Sequence, residues 1–358
     1  MMQAMPPTFW TDKRVFLTGH TGFKGAWLSL LLNRMGATVM GYALEPPTTP
    51  NLFEIARVAE VTRSRIADIR DSAALSLCLR DFAPDVVFHL AAQSLVRESY
   101  ATPAETFDVN VMGTVRVLDA IRQTPSVKAA IIVTSDKCYE NRETGQAYRE
   151  SDAMGGQDPY SASKGCAELA TAAYGRSFFQ PGAGHASIAS VRAGNVVGGG
   201  DWAKDRLIPD IARGLTAGGK IVIRRPDAVR PWQHVLEPLH GYLKVAERLL
   251  ENGPLPWDAW NFGPDASSEQ PVEAVARLAC SLWGRSDALK IGPDSGALHE
   301  ATLLQLDSAK ARAGLGWHPR WDFQATLKHT VDWYRNFADG RDMQAFTLAQ
   351  IDAYRAQP

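Results

Sequence analysis

Short apolar runs alternate with longer amphipathic stretches through the first half of the chain. Arg14–Thr18, Thr38–Tyr42, Asp85–Leu90, Ala129–Thr134 and Ala186–Val191 read as strands, with Ser64–Asp68 a shorter one. Between them, Lys24–Met35, Asp71–Phe82, Pro103–Gln123 and Pro159–Gly175 carry the spacing and length of helices. The best-defined strands are apolar at nearly every position, as expected where both faces of a sheet are covered. Strands alternating with helices of this length predict βαβ units and a parallel sheet, an α/β fold. Beyond Arg192 the texture changes. Gly194–Trp202 is glycine-rich, and the rest of the chain consists of shorter elements broken by Pro and Gly, with an amphipathic helix over Asp322–Phe337. This divides the chain into residues 1–193 and a smaller mixed α/β region over 194–358, with 236–263 returning to the first part.

Composition narrows the function classes. With 45% apolar and 22% charged residues and a net charge of −1, the chain reads as a soluble protein without an electrostatic case for nucleic acid or an anionic membrane. Arg224, Arg225 and Arg230 form a local basic cluster that suits a small anion. The four cysteines lie scattered, without a C-x-x-C pair or a histidine partner set, so reduced thiols in a cytoplasm are expected and no metal site. Met1–Trp10 lacks a basic-then-apolar leader, and no apolar run is long enough for a membrane span.

Candidate chemistry begins at Thr18-Gly-His-Thr-Gly-Phe-Lys-Gly25, between the first strand and the first helix. Gly19 permits a tight turn, Gly22 lets backbone approach a pyrophosphate, and Gly25 lets helix pack on strand; the helix N-terminus offers free N–H groups. Downstream, Tyr160 and Lys164 lie four apart, on one face of a helix. A neighbouring cation favours the phenolate and lowers the ordinary phenol pKa of about 10. Thr134-Ser135-Asp136-Lys137 adds polar groups at a strand end. Side chains of consecutive strand residues point to opposite faces, so Asp136 and Lys137 share one site only if the strand has ended before them.

The glycines follow G-x-x-G-x-x-G spacing. With Tyr160-x-x-x-Lys164, this resembles the extended short-chain dehydrogenases/reductases, from about residue 14 to at least residue 265. The resemblance implies a Rossmann-type doubly wound parallel sheet with NAD held along Gly19, Thr21, Gly22, Phe23, Lys24 and Gly25. It adds Asp68–Ile69 at the adenine, Leu90, Ala91 and Gln93 beside phosphate and ribose, and Asn110 on a helix. Lys24, where the family has a small or apolar residue, either touches the phosphates or faces solvent. Glu45 lies late for a ribose-binding acid, which leaves NADP open beside NAD. In the family, the tyrosine accepts a proton from a sugar hydroxyl while the same carbon loses hydride, the lysine binds the nicotinamide ribose and the serine holds the hydroxyl. Tyr160, Lys164 and Ser135 match these.

Asp136 and Lys137 separate two reactions. A 4-epimerase needs only the Tyr and Ser, whereas a nucleotide-sugar 4,6-dehydratase adds an acid for the C6 hydroxyl and a base for the C5 proton. Asp136 matches the acid. Lys137 stands where the dTDP-glucose enzymes carry Glu; it serves as a base if burial depresses its pKa, or stays charged and stabilises an enolate. The Ser-Asp-Lys triplet and the Gly-His-Thr-Gly-Phe-Lys-Gly turn resemble the CDP-glucose branch. By the same resemblance Asn195 and Arg230 meet the diphosphate, Arg206 and Leu207 lie near the base, and Ser94 and Asn261 complete the substrate set. Trp202 and Trp232 are left as stacking platforms or core, and His89 as a satisfied core histidine. The expectation is a cytoplasmic lyase, a homodimer or dimer of dimers. The rival readings are a 4-epimerase, a dehydratase for dTDP-glucose or GDP-mannose, and a dinucleotide-binding sensor without turnover.

Overall fold

The computed structural model describes residues 8–143, 145–182, 186–223, 225–253, 255–292 and 304–357. Arg224 of the basic cluster and the first seven residues of the chain lie outside them. A seven-stranded parallel sheet forms the centre. It is built from β1 (Arg14–Thr18), β2 (Thr38–Ala43), β3 (Arg63–Ile66), β4 (Val86–His89), β5 (Ala129–Val133), β6 (Ser187–Ala193) and an edge strand, Asp258–Phe262. The order runs edge strand, β6, β5, β4, β1, β2, β3. Val15 pairs with Val39 on one side and Val86 on the other, and Trp260 pairs with Val191.

Period-two alternation divides the apolar side chains between two layers. Leu17, Phe88 and Ile131 join Trp10, Trp27 and the later helices on one face. Phe16, Val87 and Ile132 pack with Tyr42, Leu79 and Ile121 on the other. Helices thus cover both faces, as the unbroken apolar runs of β4 and β5 require. The strand order reverses between β1 and β4, and in such sheets the crevice beyond the carboxyl ends of the strands at that point is where ligands bind.

Most predicted elements stand within one or two residues of their expected bounds. The exceptions have physical causes. The stretch expected as one helix over Pro103–Gln123 is preceded by a short helix, Val96–Ala101, which ends before Pro103, a residue without an N–H to extend it. It then runs as Pro103–Phe107, a π-helical turn over Asp108–Met112 and a helix over Gly113–Arg122. The helix Pro159–Phe178 starts on the Asp158 carboxylate, which accepts from the Ser161 amide at 2.9 Å, with Pro159 at its first position. The last helix, Met343–Arg355, was not expected. It packs on α1 (Phe23–Arg34), with Arg34 clasping Asp352 at 2.7 Å.

Candidate active site

The carboxyl ends of the strands open into a cleft of about 1060 Å³. Its first wall is the glycine turn. Gly19 has φ +79°, and a Cβ there would stand 2.7 Å from the Ala91 nitrogen. A Cβ on Gly25 would run into the Gly19 carbonyl, so helix and strand meet at this point only with hydrogen there. Gly22 differs: a Cβ would meet only the Gly19 carbonyl oxygen, at 3.4 Å, and the residue faces the cleft. It begins α1 without a side-chain cap, so the first-turn N–H groups are left for an anion. This cradle fits a dinucleotide diphosphate.

Every predicted site residue except Asn110 and Asn261 lines this cleft. Gly19, Thr21, Gly22, Phe23, Lys24 and Gly25 are joined by Asp68, Ile69, Leu90, Ala91, Gln93 and Ser94. Across from them stand Ser135, Asp136, Lys137, Tyr160 and Lys164, and at the far end Asn195, Arg206, Leu207 and Arg230 with Arg225. Asn110 sits in the π turn, its amide spent on the protein. It accepts from the Gln93 nitrogen at 2.8 Å and donates to the Gln93 carbonyl and the Ser163 hydroxyl, both at 2.9 Å. It therefore ties the loop after β4 to the helix that carries Tyr160. Asn261 is fully buried on the edge strand, held by the Tyr139 hydroxyl, the Tyr148 carbonyl and Glu150, away from the cleft wall. Trp202 and Trp232 are buried; Trp202 packs on Tyr334 and Phe337, and the Trp232 indole donates to the Gln270 carbonyl. His89 bonds Thr18 at 2.7 Å and Thr114 at 3.1 Å, a satisfied core residue whose burial pushes it down to about 3.

β5 ends at Val133, and Asp136–Cys138 forms a 3₁₀ turn with Ser135 as its cap. The change of backbone direction lets Asp136 and Lys137 face the same cleft. The Ser135 hydroxyl donates to Asp136 at 2.9 Å and also bonds Tyr160. Burial pushes the Asp136 carboxyl up, against the charge of Lys137 and the Ser135 bond. Lys137 is half-buried. Tyr160 departs from the simple expectation that a lysine below it lowers its pKa. Burial dominates and pushes the phenol up to about 12, with the Ser135 bond and the Arg206 charge pulling back. The same burial lowers Lys164 to about 8. For each group desolvation is the largest influence on its ionisation.

Below the turn lies a buried ionic network. Glu168, one helical turn beyond Lys164, receives Arg192 through two guanidinium nitrogens, at 2.9 and 2.8 Å, and the hydroxyls of Ser190, at 2.7 Å, and Thr134. Arg192 also donates to the Tyr139 hydroxyl at 2.6 Å. The network thus braces both ends of the stretch from Thr134 to Tyr139. Sequence reasoning missed this pair; the position of Glu168 on the Tyr160 and Lys164 helix was the available signal.

Residues 15–256 match the model of the NAD dependent epimerase/dehydratase family. The chain belongs to this family. Among epimerase/dehydratase relatives, a CDP-glucose 4,6-dehydratase of Salmonella typhimurium is 51% identical over 352 residues, covering 97% of each chain. A dTDP-glucose 4,6-dehydratase of Streptomyces venezuelae, solved with NAD and TYD bound, superposes with a TM-score of 0.75 at 25% identity, over 92% of this chain and 99% of that one. A UDP-glucose 4-epimerase of Stenotrophomonas maltophila, with a TM-score of 0.79 at 21% identity and covering 92% and 100%, shares the fold. Among the described residues, no group of side chains could hold a metal ion, and no helix is long and apolar enough to cross a membrane.

Proposed function

We propose that this protein is an NAD-dependent 4,6-dehydratase that converts CDP-glucose to CDP-4-keto-6-deoxy-glucose. The observation that carries the reading is the meeting of Asp136 and Lys137 with Ser135, Tyr160 and Lys164 in one cleft. A 4-epimerase has no need for the first two. Near-full-length similarity to a CDP-glucose 4,6-dehydratase supports the nucleotide and the sugar.

The glycine turn and α1 would hold the NAD diphosphate, Asp68–Ile69 the adenine end, and Lys164 the nicotinamide ribose. NAD, when bound, supplies the hydride acceptor at C4 and the hydride donor at C6. Tyr160 takes the C4 hydroxyl proton, with Ser135 bridging that hydroxyl and the phenol. The resulting ketone acidifies C5–H. Lys137 either receives that proton or stabilises the enolate with its charge. Asp136 then protonates the C6 hydroxyl, which leaves as water. Its burial favours the protonated acid that this step requires. Arg230, with Asn195, would clamp the substrate diphosphate, and Arg206 and Leu207 would lie near its base; guanidinium donors form a rigid fork suited to phosphate.

On this reading residues 1–193, with 236–263 returning to them, form the cofactor-binding part, and 194–358 supply the nucleotide-binding side of the cleft. A homodimer is supported by exposed Tyr100, Phe107, Met112 and Leu169 on adjoining helices, a surface suited to a second copy of the chain. Sedimentation tests this: a dimer or tetramer is expected, and a monomer at assay concentration refutes it. The protein is read as cytoplasmic. For the reaction itself, turnover is screened across CDP-, dTDP-, UDP- and GDP-hexoses. CDP-glucose should give the alkali-sensitive 4-keto-6-deoxy chromophore; a 4-epimer without that chromophore would refute dehydration.

A further inference from the structure

The two halves of the proton-handling site stand on different elements. Ser135, Asp136 and Lys137 belong to the turn after β5, whereas Tyr160 and Lys164 belong to the helix Pro159–Phe178. Glu168 continues the spacing of four on that helix, so the three side chains share one face. At Gly165, beside Lys164, the helix lies directly on the turn: a Cβ there would stand 3.2 Å from the Cys138 carbonyl oxygen and 2.8 Å from that of Gly155. The Glu168 carboxylate then accepts four hydrogen bonds, one oxygen taking the Thr134 hydroxyl and the Arg192 Nε, the other the Ser190 hydroxyl and the Arg192 Nη2. Ser190 and Arg192, two apart on β6, present the same face of the strand to it. Arg192 Nη1 donates to the Tyr139 hydroxyl at 2.6 Å, and that hydroxyl donates in turn to Asn261 at 2.8 Å. Thr134 and Tyr139 flank the turn on its two sides. Each is thus tied by its side chain to one buried ion pair.

As a source of stability, a buried ion pair is often no better than well-packed apolar side chains of similar volume. What it adds is geometry, since a guanidinium and a carboxylate joined by two parallel bonds fix each other's orientation. We propose that Glu168 and Arg192 are positioning residues for the reaction: by fastening Thr134 and Tyr139 to the helix that carries Tyr160 and Lys164, they set Ser135, Asp136 and Lys137 in register with the tyrosine. The inference rests on the dehydratase reading. Neither Glu168 nor Arg192 lines the cleft, so neither touches substrate or cofactor. C4 oxidation needs the Ser135 hydroxyl and the Tyr160 phenol on one sugar hydroxyl. Water loss needs Asp136 and Lys137 at C6 and C5 of the same sugar. A displacement of about 1 Å in such an arrangement costs about a hundredfold in rate. The pair therefore acts on turnover and leaves affinity alone.

The test compares the double variant Glu168→Leu, Arg192→Met with the wild type as full-length protein, supplied with NAD and CDP-glucose. The double variant leaves no unpaired buried charge and should unfold in urea close to the wild type. Its kcat should nonetheless fall about 10- to 100-fold while KM and NAD affinity change little, the pattern of a lost transition-state arrangement. Thr134→Val removes one tie and keeps the shape of the side chain; kcat should fall about tenfold at unchanged KM, and Thr134→Ser, which keeps the hydroxyl, should restore most of it. Turnover that returns with stability in the double variant would make the pair structural only and refute the proposal. A loss confined to KM refutes it as well. If the double variant does not fold, the two Thr134 variants decide, and Thr134→Val as fast as Thr134→Ser refutes. Failure of the wild type to dehydrate CDP-glucose would instead sink the dehydratase reading; the same variants are then compared by the reduced nicotinamide formed from whichever nucleotide hexose is oxidised, with the same outcomes.

Discussion

Replacing Arg192 with Met should be among the costliest single changes in this protein. Arg192 and Glu168 are 1% and 2% exposed, and Arg192 supplies two of the hydrogen bonds on the carboxylate. Without it, the Thr134 and Ser190 hydroxyls remain, but the carboxylate becomes an uncompensated buried charge. Breaking a buried pair in this way costs about 3–5 kcal/mol. The pH dependence sharpens the prediction. Burial pushes the Glu168 carboxyl up, yet the bonds and charge of Arg192, with the two hydroxyls, outweigh it and hold the group below its ordinary range. A folded value below the unfolded one contributes stability that is present above about pH 4.3 and lost as pH falls through the folded value. In the Met variant only the two hydroxyls oppose burial and the carboxyl rises, so that variant gains stability as pH falls from about 7 to about 5 while the wild type does not. Urea unfolding followed by tryptophan emission at these two values gives both differences by linear extrapolation. The deficit should be largest near neutrality and smaller at about pH 5. Replacing both residues with apolar side chains should recover much of it. A deficit below about 1 kcal/mol, the same deficit at both pH values, or a double variant no better than the single would refute the argument.

Tyr160→Phe should abolish C4 oxidation while NAD binding, followed by calorimetry, changes little; full turnover would remove the tyrosine from the mechanism. The tyrosinate absorbance missing in that variant should titrate near about 12 in the free protein and move down when NAD and substrate bind; an unchanged midpoint would show that binding does not activate the phenol. Lys137→Ala should slow water loss more than oxidation, read as the rate of C5 exchange with deuterated solvent against product formation. A change in substrate affinity alone would exclude it as base or charge stabiliser. Gly25→Ala places a methyl against the Gly19 carbonyl and should cost about 1–3 kcal/mol with loss of NAD binding; wild-type affinity and melting would show that the turn yields more readily than its packing implies.

The central sheet was legible because β1, β4 and β5 are short, apolar and bounded by turn residues, and Rossmann-type crossovers leave few alternatives. The glycine turn and the Tyr160 helix were legible because their chemistry is local in sequence. What escaped was set by long-range contact. The π turn displaces Asn110 toward Gln93 and Ser163, a register change that side-chain periodicity does not reveal. Asn261 faces inward because Tyr139 and Tyr148 reach it from over a hundred positions earlier. Lys24 had an open role in the sequence, since its neighbour Tyr242 comes from a distant helix. The helix Met343–Arg355 is fixed by distant partners, its buried Tyr354 packing on Trp321 and donating to Glu237.

The edge strand Asp258–Phe262 has a consequence for how the chain comes off the ribosome. β1 to β6 are all synthesised before it, and until it arrives the outer backbone of β6 is an unpaired edge, the kind of surface on which chains join one another. The same strand brings Asn261 to the Tyr139 hydroxyl, at the end of the catalytic turn. Closing the sheet and bracing that turn are therefore one event in the life of the nascent chain. A polypeptide released before that strand would carry every residue from Gly19 to Arg230 and still lack the frame that holds them for chemistry.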